Sequence, residues 1–189
     1  MFDTGNRYDP DRHHRRSIRL KGYDYAHEGA YFVTICVFEH ECLLGEVVNG
    51  VVELSEFGSV VEREWLHTPD IRPQVDLDYF VIMPNHIHGI LVINDDGPVG
   101  AYCNTPLQTT DQTRLQSPSQ TVGAMVRGFK AAVTKRVNIM RESPGAPFWQ
   151  RNYYEHIIRN EQSLYTIRHY VATNPARWAE DRYYGGQKD

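Results

Sequence analysis

The sequence predicts an α+β domain built on one antiparallel sheet with helices packed on one face. Short runs of β-branched and aromatic residues, an Asn-Gly pair between two of them, and amphipathic stretches interleaved with them all point that way. At 189 residues the chain has the length of one ordinary domain and can bury a core without covalent staples.

Residues 1–18 read as a polar, flexible basic arm. From Ala30, AYFVTICVF reads as a buried strand. Next, LLGEVVNGVVEL places Asn49-Gly50 between two apolar runs, the strongest short hairpin signal. Ser55 is placed to cap EFGSVVEREWLHT, whose apolar positions Val60, Val61, Trp65 and Leu66 follow a helical period. Two further strands follow, VDLDYFVIM and HIHGILVIN, joined at Met83-Pro84-Asn85. Residues 94–118 are polar and aperiodic, which predicts a long mobile loop. A helical pattern returns at Thr121 with Ser117 or Ser119 available as cap. PFWQRNYYEHIIRN is a short extended stretch, and EQSLYTIRHYVATNPARWAED is helical at least to Thr173. The order β, ββ, α, ββ, α, β, α suggests a ferredoxin-like sheet in a single domain over residues 19–183, with 184–189 as a tail.

No apolar run reaches the length of a membrane span, and the first residues lack the apolar core of a secretory signal. Three cysteines, with no CxxC pair, argue against a disulfide framework and a thiolate zinc site, so the expected location is the cytoplasm. The net charge of −4 argues mildly against a DNA partner, because nucleic-acid-binding domains are usually basic, but the distribution of charge matters more than its sum. Two segments are nonetheless locally basic: Arg12 to Lys21, and Arg127 to Arg141.

His86-Ile87-His88 falls on a predicted strand. Side chains two apart on a strand point to one face, so both imidazoles converge while Ile87 enters the core. Two imidazoles make half of a metal site; two hydrogen-bonded sheet histidines would look the same. On the last helix, Tyr170 and Asn174 are four apart and share a face. The Asn174 amide is a candidate oxygen ligand. It could equally be the residue that ends the helix, because Pro175 disfavours helical geometry just before it. Any one of twelve tyrosines is more often a packing residue than a nucleophile. Arg127, Lys130, Lys135 and Arg136 could form a phosphate-binding face if they border the histidines, or an ordinary solvated one if they do not. Arg151, Arg159 and FWQRNYY could contribute cations and stacking surfaces for unpaired bases. His156 and Glu155 could orient the site or be structural strand residues, and Glu155 reads as structural.

Taken together, PNHIHG on a strand, SPSQTVGAMVRGFKAAVTKRVN, FWQRNYYEHIIRN and a helix with YxxxNP resemble the REP-associated tyrosine transposases. These belong to the HUH (His-hydrophobe-His) group of single-strand DNA transposases and relaxases. The resemblance runs from about Arg15 to Asp181. It implies an HUH endonuclease fold, a ferredoxin-like sheet flanked by helices. It also implies a divalent metal, Mg or Mn, on His86 and His88, with Asn174 as third ligand and Tyr170 as catalytic tyrosine. The implied partner is single-stranded or hairpin DNA of REP type, processed by a monomer or homodimer in DNA transposition. In this reading Tyr170 attacks a phosphate to give a 5′-phosphotyrosine and a free 3′-hydroxyl, which a second hydroxyl can reverse. The chain ends soon after the tyrosine helix, so no appended DNA-reading extension is expected. Two competing readings stay open: a hairpin-DNA-binding protein that does not cut, and an HxH metal hydrolase that does not use Tyr170.

Overall fold

The computed structural model describes residues 29–94 and 121–184. The arm 1–18, nearly all of the loop 94–118 and the tail from 185 onwards lie outside the described residues, as do Ser117 and Ser119.

The first strand, β1 (Gly29–Cys36), lies inside the sheet, and its burial is continuous from Tyr31. A tight hairpin follows, β2 (Gly45–Val48) and β3 (Val51–Leu54). Its turn residues Asn49 and Gly50 both take positive φ, 52° and 78°, as a hairpin turn matched to strand twist demands. The Ser55 hydroxyl accepts from the Gly58 N–H and so caps α1 (Glu56–Leu66). A short turn of helix, α2 (Thr68–Ile71), leads into β4 (Val75–Met83). The Pro84-Asn85 turn then returns the chain along β5 (His86–Ile93). Thr121 itself, rather than either serine, caps α3 (Val122–Met140) by accepting from the Ala124 N–H. The edge strand β6 (Tyr154–Ile158) and α4 (Glu161–Thr173) complete the order, with Asn160 capping α4.

The sheet runs β4-β5-β1-β6, and every described pairing within it is antiparallel. It divides the molecule in two. On one face Tyr31, Val33, Ile35, Ile87 and Leu91 meet Val60, Val61 and Trp65 of α1 and Met125, Phe129 and Val133 of α3, forming the main core. On the other face Phe32, Ile90 and Ile158 meet Leu164, Ile167 and Val171 of α4. The helices therefore cover both faces, where the sequence suggested one. A helix stripe such as Leu164-Ile167-Val171 says that a helix is buried, and nothing in it says against which side of a sheet.

Opposite faces also explain Gly89. Following His88 in β5, it points into the main core, and a Cβ there would lie 2.3 Å from Cζ2 of Trp65. The indole ring occupies the space a side chain would need. The expected outcome for Gly89→Ala is a loss of about 1–3 kcal/mol of stability from overpacking, read as a lower urea midpoint at unchanged m-value.

Candidate active site

The His86-Ile87-His88 alternation lays two imidazoles on the α4 face, both essentially inaccessible to water, while Ile87 is buried in the main core. Their nitrogens are fixed by neighbours. The side-chain Nδ2 of Asn85 donates to the carbonyls of His40 (3.1 Å) and Tyr183 (2.6 Å), so its Oδ1 is left as an acceptor. The His86 Nδ1–H donates to that oxygen at 2.8 Å, and its Nε2 therefore carries a lone pair. His88 Nδ1 is 2.8 Å from Thr34 Oγ1 on the adjacent strand, and its Nε2 lies 3.0 Å from Nε2 of His86. Two ring nitrogens this close need a proton or a cation between them.

Burial sets their protonation. It pulls the His86 imidazole down to about 4, against the opposing charge of Asp181, and it holds His88 well below its ordinary value, assisted by His86. Both rings are neutral at physiological pH, the form that binds metals.

Helix α4 brings the third group. Val171 seats it on the sheet, and the Arg168 guanidinium grips Asp78 with Nε at 2.9 Å and Nη2 at 2.7 Å from Oδ2. Asp78 lies at an irregularity of β4, where the register with β5 shifts between Leu77 and Phe80. This clamp fixes the rotation of α4, and Tyr170 projects over His88, with Oη 3.1 Å from Nε2. Phe32 lies under both rings, stacked on His88 and edge-on to Tyr170. Partial burial, with Asp181 nearby, raises the Tyr170 phenol above its ordinary value, and Arg182 counters part of the rise.

Asn174 keeps helical backbone angles (φ −56°, ψ −43°) despite Pro175, contrary to the expectation from the Pro rule. The chain continues there into a 3-10 segment, Pro175–Glu180, whose first residue is the proline, a position proline tolerates. Asn174 thus ends α4 and also faces the histidine cluster's neighbourhood. It is buried, its Nδ2 donates to Asp181 Oδ2 at 3.1 Å, and its Oδ1 has no hydrogen-bond partner. The turn after the 3-10 segment carries Asp181 to the imidazoles, so that ligand atoms of His86, His88 and Asp181 lie within 4.8 Å of one another. Neutral imidazoles, a carboxylate and an orphaned buried amide oxygen are a donor set suited to a divalent ion such as Mn²⁺.

The structure thus gathers His86, His88, Tyr170 and Asn174 on one face. The cations of α3 lie elsewhere, because α3 covers the opposite face of the sheet. Arg127 and Lys135 are exposed there, and Arg136 pairs with buried Glu64 at 2.5 Å. Lys130 donates to the carbonyls of Gln150 (2.9 Å) and Asn152 (2.8 Å), and burial lowers its ammonium to about 8. Arg151 and Arg159 are exposed on either side of β6. His156 shares the histidine face by its pairing with Phe32, whereas Glu155 accepts from the Tyr153 hydroxyl at 2.5 Å on the other side.

Sequence reasoning missed Asp181, Asn85, Thr34, Arg182 and Tyr183. Asp181 is one of 24 acidic residues and carries no local signature. Tyr183 stands over both imidazoles, at 4.8 Å from His86 by ring centroids, and Arg182 lies over its ring. Asn85 had a usable signal: it directly precedes the first histidine, in the strand turn.

No family model matches the chain. It is 46% identical over 179 residues to an uncharacterized protein of Haemophilus influenzae, covering 94% of this chain and 97% of that one. A solved structure of a REP-associated tyrosine transposase bound to a REP hairpin superposes with a TM-score of 0.56. The match covers 88% of this chain and 77% of that one at 17% identity, a likeness of fold. The chain therefore belongs to one family with the Haemophilus influenzae protein, and its antiparallel sheet flanked by helices is the fold of a REP-associated tyrosine transposase.

Proposed function

We propose that this protein is a metal-dependent endonuclease and strand transferase for single-stranded or hairpin DNA, with Tyr170 as nucleophile. One observation carries the reading: the Tyr170 hydroxyl lies 3.1 Å from His88 Nε2, beside a metal-competent set of two buried imidazoles and the half-buried Asp181. The sequence motifs and the shared fold support it, and the hairpin in that solved structure suggests the substrate class.

His86 and His88 would hold the ion, with the Asn174 amide oxygen as third ligand and the Asp181 carboxylate beside them. A bound Mg²⁺ or Mn²⁺ supplies positive charge that polarises a non-bridging phosphate oxygen. Asn85 and Thr34 fix the two rings so that both Nε2 atoms face the same point, the outer-shell role that sets ligand basicity and direction. The raised phenol of Tyr170 makes it a poor nucleophile unless the phosphate is held in line beside it. Its oxygen then attacks phosphorus, and the bond to the 3′ oxygen breaks. The phenol proton passes to solvent, to which the residue is 39% exposed, and the leaving 3′ oxygen takes one up. The 5′-phosphotyrosine keeps the phosphoryl group activated, and a second 3′-hydroxyl can reverse the exchange without a nucleotide cofactor.

Arg151 and Arg159, exposed on either side of β6 in the chain, would meet the DNA backbone. Arg127, Lys135 and Arg136 on α3 would meet only DNA that passes round the sheet edge, and Lys130 would hold the 150–152 segment in place. Either a monomer or a homodimer could present this site. Among the described residues no helix is long and apolar enough to cross a membrane.

With a labelled hairpin panel and Mn²⁺, label is expected to comigrate with denatured protein. Tyr170→Phe is expected to reduce this at least about a thousandfold, as loss of a covalent nucleophile does. Tyr183→Phe is expected to retain it, which separates the two site tyrosines. Hairpins bound without any adduct would instead indicate a silent binding protein. Undiminished turnover by Tyr170→Phe would indicate the hydrolase. Asn85→Ala frees the His86 tautomer and is expected to weaken Mn²⁺ binding about ten- to a hundredfold by calorimetry. The lowered imidazole values also set a pH window. Histidines of ordinary value lose metal as pH falls through 6.5, whereas here the ligand form persists until pH approaches about 4. Mn²⁺ affinity is expected to stay flat from about pH 7.5 to about 5.5, and a tenfold or greater fall across that range would contradict the burial account.

A further inference from the structure

We infer that the cleft between β6 and the start of α4 is a nucleobase pocket for a nucleotide flanking the scissile phosphate. This rests on the proposed single-strand DNA substrate and adds a base-contacting site to it.

The pairing of Thr34 with Tyr154 and of Phe32 with His156 turns Tyr154 and His156 to the face that carries the metal-competent histidines. β6 is the edge of the sheet, and α4 starts directly after it, so a cleft of about 490 Å³ opens between the strand and the helix's first turns. Buried Phe32, half-buried Ile167 and the exposed Tyr154 line it, and exposed His156, Asn160 and Gln162 add polar atoms. A flat aromatic ligand with hydrogen-bonding edges fits that lining, since a base needs a ring to stack on and polar atoms at its margin. Tyr154 is available for stacking, with 42% of its surface exposed.

Phe32 links the cleft to the site. Phe32 lies edge-on to Tyr154 at 6.3 Å and to Tyr170 at 6.1 Å, so one ring joins the cleft to the nucleophile. Arg182 lines a second cavity of about 190 Å³ together with Tyr170, Asn174 and Asp181. Its guanidinium also lies 6.0 Å from the Tyr154 ring centre. A cation thus spans the interval between the cleft and Tyr170, where the backbone linking a pocketed base to the scissile phosphate would run. That charge favours a phosphate-linked base over a neutral aromatic side chain of a peptide.

The test reads binding without cleavage, so its failure is separable from failure of the nuclease reading, which adduct formation decides. Single-stranded oligonucleotides are selected from a random pool for binding to the Tyr170→Phe protein, and one of them is scanned with an abasic site at each position. One abasic position is expected to weaken binding about tenfold, the scale of one lost stacking contact. Tyr154→Ala is expected to weaken the intact oligonucleotide by a similar factor and to cause no further loss on that abasic oligonucleotide. Tyr154→Phe, which keeps the ring, is expected to retain the original profile. An unchanged melting temperature confirms that Tyr154→Ala folds, and His156→Ala at the exposed rim gives the same cycle if it does not. Equal losses on every abasic oligonucleotide, no loss at all, or failure of the pool to yield any binder would overturn the inference.

Discussion

The geometry of the site depends on one arrangement: two buried imidazoles facing each other at 3.0 Å, with the tautomer of His86 dictated by Asn85. Left without a shared proton or a cation, the facing lone pairs would repel in a water-poor environment where such repulsion is poorly screened. The surrounding structure holds the arrangement in place. Asn85 is buried in the β4–β5 turn, its amide spans His40 and Tyr183, and its own carbonyl accepts from the Val37 N–H. Thr34 approaches from β1 and Tyr170 from α4. A centre assembled from so many separate parts of the chain forms only when the whole sheet is in register.

The sheet separates two tasks. One face packs α1 and α3 into the main core, with Trp65 filling the space left by Gly89. The other carries the candidate site under α4, with a smaller apolar cluster at Phe32, Ile90, Ile158 and Val171. Alternation along β5 makes this possible, because neighbouring residues serve opposite faces: His86 and His88 the site, Ile87 and Gly89 the core. A one-residue slip in β5 would exchange the two sets, so the hydrophobic demand of the core also fixes the aim of the histidines.

Much of this was legible in the sequence. Period-2 alternation placed the histidines on one face, the Asn49-Gly50 turn formed as read, and i,i+4 spacing brought Tyr170 and Asn174 to the same neighbourhood. What was not legible depended on contacts distant along the chain. Asp181 reaches the imidazoles only because the 3-10 segment after Pro175 turns the chain back. The side on which α4 packs is settled by Phe32 and by the Asp78–Arg168 pair, 90 residues apart in sequence. The same limit applies to the α3 cations, whose spacing said that they share a helix and could not say which face of the sheet that helix covers.

Anomalous diffraction from crystals soaked in Mn²⁺ tests the central claim most directly, because it locates the ion without assuming any substrate. The account expects one strong peak bounded by the Nε2 atoms of His86 and His88, on the side of Asn174 and Asp181, and its loss in His86→Ala crystals. A peak elsewhere, or none at these imidazoles at millimolar Mn²⁺ and neutral pH, would show that the facing histidines share a proton and are not a metal centre.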